Sequence, residues 1–208
     1  MEELIPSANV EDHPRVAELK RSFHTGPVDF LETTTDLNDD DYALMGKLIQ
    51  LYCFADLNAR RIIDAIHHAT LGADARSGSR LRDAEVFPRL QGLVNRWIPD
   101  SPLKEGLLKA ARTVEIHRIH RHNFAHWAAR KVKEGDAFIL FTKNAREGER
   151  RDGTPQNSDE MKYAIVLLAP LKPEIEKLIG HCAYLANQAA RFEHGFEEFK
   201  RAISVDGA

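Results

Sequence analysis

One uninterrupted segment, from Asp39 to about Ala69, limits most tightly what this chain can fold into. Within it Leu44, Leu48, Leu51, Ala55, Ile62 and Ile66 recur at helical spacing. The acidic start Asp39-Asp40-Asp41 suits the N-terminal end of a helix dipole. A long helix with an apolar stripe needs other elements to cover it. Ala84, Val86, Leu90, Leu93 and Trp97 mark a shorter helix, shifted or kinked at Pro88 and ended before Pro99. Ile175, Leu178, Cys182, Leu185, Ala189, Phe192, Phe196 and Phe199 mark a final helix that follows Pro170 and Pro173 and runs to about Ala202.

Between these lies a segment expected to be helical from about Pro102 to Glu134. Asp100 or Ser101 can cap it, Pro102 suits its first position, and Gly135 stops it. Beyond it, residues 137–142 and 163–168 are strand-like in length and in aromatic and β-branched content, and predict a β-hairpin with a long polar loop. The expected fold class is therefore all-α, a bundle of four or more helices with a β-hairpin inserted at about 137–169 before the last long helix. Residues 1–38 pair a short helical pattern at Val16, Leu19 and Phe23 with the breakers Gly26-Pro27 and a threonine run, and read as an N-terminal arm. Residues 39–208 form the helical domain.

Composition narrows the functional classes. A chain of 208 residues that is 43% hydrophobic supports one full-sized core and a compact body. A net charge of −3 excludes a generally basic nucleic-acid coat, so any nucleic-acid contact must come from a local patch. Cys53 and Cys182 both fall in helical patterns and read as buried thiols in a reducing compartment. The start shows no basic region followed by an apolar segment, and no apolar run approaches spanning length, so a cytoplasmic protein without a membrane partner is expected.

The local patch lies in the segment from Pro102. Arg112, Arg118, His120, Arg121, Arg130, Lys131 and Lys133 make it basic within an acidic protein, suited to phosphate. On a continuous helical wheel Arg121 falls among Leu103, Leu107, Ala110, Val114, Ala125, Ala128 and Val132. A guanidinium on an apolar stripe requires either an ion pair, with Asp56 or Asp64 as possible partners, or a wet cleft. Leu108, Ile116, Ile119 and Trp127 form a second apolar region, which suggests packing on both flanks, one of them against another subunit. His126 lies about 140° from Arg121 on the wheel, so the two converge only across a groove such as a symmetric dimer supplies.

An arginine and an imidazole suffice for acid-base chemistry on a phosphodiester without metal or cofactor. Arg121-His122-Asn123-Phe124-Ala125-His126 resembles the signature of the HEPN superfamily, an Arg, often followed by a polar residue, then His after four to six residues. His122 fills the polar slot. The resemblance implies a helical bundle with its motif on a late helix facing a dimer cleft. It implies a metal-independent endoribonuclease acting on single-stranded or loop RNA, with no cofactor. In that scheme the 2′-hydroxyl attacks phosphorus, His126 is the general acid-base residue and Arg121 neutralises the developing charge. Arg118, His122, Asn123 and Arg130 are the expected substrate contacts, although Asn123 reads equally as a solvated polar residue.

Such proteins often act as toxins or antiviral effectors, so an antitoxin or regulatory protein is a possible partner. One toxin branch carries a Tyr two residues after the His. Ala128 stands there in this chain, and that regulation does not carry over. A non-catalytic RNA-, nucleotide- or protein-binding module is the alternative. A metal hydrolase is a further one, since His122 and His126 have the spacing for two imidazoles on one ion. It needs a carboxylate that Glu115 is misplaced to supply. Phe124 and Trp127 can stack on a base, though packing suits both better. The loop from Lys143 to Arg151 can cover the cleft, but reads more readily as a solvated hairpin tip.

Overall fold

The computed structural model describes residues 13–24, 30–71, 78–144, 162–195, 197, 200 and 201. These are mostly helical, with a small four-stranded antiparallel sheet. In chain order they form α1 (Pro14–His24), α2 (Phe30–Thr33), β1 (Thr34–Thr35), α3 (Asp39–Leu71), a 3-10 turn (Gly78–Arg80), α4 (Asp83–Trp97) and α5 (Pro102–Ile116). There follow α6 (Arg118–His126), β2 (Ala128–Val132), β3 (Ala137–Thr142), β4 (Lys162–Leu167) and α7 (Leu168–His194). None of the helices among the described residues is long and apolar enough to cross a membrane.

The chain divides into two compact units, one of residues 47–119 and 175–208, the other of residues 1–46 and 120–174. The first is helical and holds the larger core. Tyr52, Ala55, Ile62 and Ile66 of α3, Phe87, Leu90 and Val94 of α4, Leu107, Ala110 and Val114 of α5, and Leu178, Cys182 and Leu185 of α7 are all buried in it. These are largely the positions marked by the helical spacing. Ser101 caps α5 by accepting from Lys104 N, and Pro102 takes the first position, where a missing N–H costs nothing. Pro88 lies within α4. Pro170 and Pro173, expected to precede the last helix, lie inside α7, with Pro170 in its first turn.

Neither cysteine is in a disulfide. Burial pushes the Cys182 thiol up to about 11, which leaves it a neutral core group, and its Sγ donates to Leu51 O at 3.2 Å. Cys53 is only half-buried.

The second unit is built around the sheet, whose order is β1-β2-β3-β4. β3 and β4 form the expected hairpin, with Ala137 opposite Leu167 and Ile139 opposite Ile165. Strands β1 and β2 were not foreseen. β2 pairs with β3, placing Arg130 opposite Ile139, and β1 pairs with β2, placing Thr34 opposite Val132. Gly135, expected to end a helix, instead turns the chain from β2 into β3. Its φ of +75° is one that side-chain-bearing residues rarely adopt, and its N–H donates to Val132 O at 2.8 Å. The N-terminal arm is likewise an integral part of this unit, because Val16 and Leu19 of α1 are buried with Val132, Ala137, Ile139 and Leu167. Phe196, Phe199, the Gly26-Pro27 breaker and the loop from residue 145 to 161 lie outside the described residues.

A buried carboxylate ties the start of α3 to the sheet. Asp41 is 4% exposed and accepts from Lys131 Nζ of β2 at 2.7 Å and from Asn38 N at 3.1 Å, while Asn38 Oδ1 accepts from Asp41 N at 2.9 Å. The acidic run thus supplies a reciprocal helix cap as well as a favourable dipole term.

Replacing Lys131 with Met keeps the stem but strands the Asp41 charge, and is expected to lower stability by about 3 kcal/mol in urea denaturation. A second expectation concerns His181 in the helical unit, where burial and then the Lys109 ammonium hold the imidazole below its ordinary value of 6.5. The folded state therefore binds its proton less readily than the unfolded chain. This contribution to stability is fully present above the ordinary value and is lost as pH falls through the depressed one. His181→Gln should flatten the fall in urea midpoint between about pH 7 and pH 5.

Candidate functional site

The expected helix from Pro102 to Glu134 is interrupted twice. At His117 the backbone N–H donates to Val114 O at 3.0 Å, a bond one residue shorter than the α-helical one, and α6 starts afresh at Arg118. The helix then ends at His126, and residues 128–132 are extended. A single wheel over this segment consequently fails. Ala125 and Ala128 are exposed, and Val132 is buried from a strand. Ile116 and Ile119 of the second apolar region are exposed as well, while Trp127 is buried.

Within α6 Asn123 and Phe124 are buried. Phe124 is 6% exposed and meets Phe138 of β3 edge-on, with ring centroids 6.1 Å apart. At about 100° per residue, Arg121 lies about 60° from Phe124, whereas His122 and His126 each lie about 160° from it. Arg121 is accordingly half-buried, His122 half-buried and His126 exposed. His122 and His126 share a face, and their ring centroids are 4.7 Å apart with the planes tilted by 47°. Arg121 and His126 stay about 140° apart on this helix, as expected from their spacing.

The other expected contacts are dispersed. Arg118 is bridged to Glu115 at 2.8 Å. Arg130 is on β2, not on a helix, where it donates to Thr34 Oγ1 at 2.9 Å and pairs with Asp36 at 2.7 Å. It therefore clasps β1 and the start of the following turn. Lys131 of β2 is engaged by Asp41. Asp56, considered as a partner for Arg121, is bridged to Arg60 at 2.7 Å. Phe124, considered for base stacking, is packed against Phe138 of β3.

Asn123 corrects the expectation of a solvated residue. It is 3% exposed, and its Oδ1 is buried without a hydrogen-bond partner. Such an acceptor costs about 1–3 kcal/mol relative to a satisfied one. The wheel gave no signal of this burial, since Asn123 lies about 100° from Phe124, farther than the half-buried Arg121. Sequence reasoning also passed over Glu115 as the partner of Arg118, which the three-residue spacing makes available.

Among the described residues no group of three or more His, Cys, Asp or Glu side chains could hold a metal ion, so the metal alternative lacks a third ligand there. No protein-family model, curated protein or solved structure matches the chain.

Asn123→Leu, which removes the unsatisfied acceptor at similar volume, is expected to leave the urea midpoint unchanged or raise it. A loss of more than about 1 kcal/mol would show that the amide supports the fold.

Proposed function

We propose that the protein is a HEPN-like helical bundle that cleaves RNA without a metal ion, with α6 as the catalytic element. One observation carries this reading. His126 stands exposed at the end of a helix that presents arginine and imidazole side chains and no carboxylate, anchored from behind by Phe124. The 2′-hydroxyl of the substrate attacks the neighbouring phosphorus, giving a 2′,3′-cyclic phosphate and a 5′-hydroxyl. His126 exchanges protons with the reacting oxygens, since a neutral imidazole carries one nitrogen that donates and one that accepts. Arg121 neutralises the charge that builds on the phosphorane through its planar fork of N–H donors.

The angle of about 140° between Arg121 and His126 keeps one helix from turning both to the same phosphate. The site is therefore composite, with Arg121 and His126 contributed by different copies in a homodimer. His122 lines it beside His126. Arg118 and Arg130 contribute mainly structure, given their ion pairs with Glu115 and Asp36. Their engagement favours a second reading, a non-catalytic module that binds RNA, a nucleotide or a protein through the smaller surface of α6.

Incubation of the purified protein with RNA in EDTA separates the two. Cleavage is expected, and Arg121→Ala and His126→Ala should each reduce it by about 10²-fold or more with helical content unchanged. Cleavage that survives both substitutions overturns the proposed site, and binding without cleavage supports the module.

A further inference from the structure

We infer that His122 is a second catalytic imidazole, and that His122 and His126 work as an acid and base pair on one phosphodiester. This rests on the ribonuclease reading above and deepens it. Transesterification of RNA needs two proton transfers. A base must take the proton of the attacking 2′-hydroxyl, and an acid must give one to the departing 5′-oxygen. A single imidazole has to do both in turn. Two imidazoles, one neutral and one protonated, do both in the same step.

The geometry of α6 supplies such a pair. The two rings come from positions one helical turn apart, on the face opposite Phe124, and their centroids lie 4.7 Å apart. Both positions reach solvent. Neighbouring rings at this separation can address the entering and leaving oxygens of one phosphorus. In the step itself, one imidazole removes the 2′-hydroxyl proton while the oxygen's electron pair forms the new O–P bond. The P–O5′ bond breaks, its electron pair passes to O5′, and the other imidazole, as imidazolium, donates its proton there. The two rings finish with their protonation states exchanged, no net proton is consumed, and exchange with water resets them. Arg121 acts on the non-bridging oxygens and takes no part in the proton transfers.

The test compares two RNA substrates with the unaltered protein, His122→Ala and His126→Ala, each checked for helical content. One substrate is natural; the other has sulfur in place of the 5′-bridging oxygen at the scissile linkage. A thiolate leaves without protonation, so this substrate needs the base but not the acid. On natural RNA both variants should lose about 10²-fold or more in kcat/KM. On the sulfur substrate one variant, and only one, should recover to within about tenfold of the unaltered protein.

Wild-type-like cleavage of natural RNA by His122→Ala overturns the inference and leaves the ribonuclease reading standing. Recovery of both variants, or of neither, also overturns the pair, because distinct acid and base roles are then absent. If the unaltered protein cleaves neither substrate, the ribonuclease reading fails and the pair fails with it.

Discussion

The candidate site depends on where the chain stops being helical. After His126 the backbone becomes extended, because β2 has ladder partners on both sides and a side chain at each of its last three positions already committed. Arg130 clasps Thr34 and Asp36, Lys131 is paired with the buried Asp41, and Val132 enters the core under the sheet. These interactions outweigh the helix propensity of Ala128 and Ala129, which is worth only a few tenths of a kcal/mol per residue. The result is a helix of nine residues that ends on a histidine.

The orientation of that helix is seen in what it buries: Phe124 against Phe138, with Asn123 and the following Trp127 buried as well. With Phe124 set against Phe138, the helical repeat sends His122 and His126 outward and leaves Arg121 at the boundary of burial. A short helix anchored at one aromatic residue and closed by a strand is well suited to hold functional groups, since its side chains inherit the rigidity of the sheet. The Asn123 amide is buried on the same helix, next in the chain to Phe124.

Much of the helical frame was legible in the sequence. The apolar recurrences in α3, α4, α5 and α7 marked most of the residues that form the larger core, and Ser101 with Pro102 marked the start of α5. The β3–β4 hairpin was legible from aromatic and β-branched content. β1 is only two residues long and β2 opens with two alanines, so neither carries a strand signal of its own. Gly135 was ambiguous for a physical reason. A glycine with positive φ closes a helix as readily as it turns a hairpin, and only pairing with β3 decides between them. The relation among site residues was partly legible. The angle between Arg121 and His126 is intrinsic to their spacing, but the engagement of Arg118 and Arg130 was hidden in contacts with Glu115, Thr34 and Asp36.

The sequence by itself determined the local periodicities: which faces of the long helices are apolar, where proline and a capping serine start a helix, and that His122 and His126 lie one turn apart. These depend on spacing alone, which the helical repeat converts directly into geometry. Only the tertiary structure decided that the motif segment breaks at His117 and again after His126, that Arg130 serves the sheet, and that Asn123 is buried. The break after His126 and the place of Arg130 follow from strand pairing and ion pairs between residues some ninety positions apart, and no local pattern encodes a partner that far away.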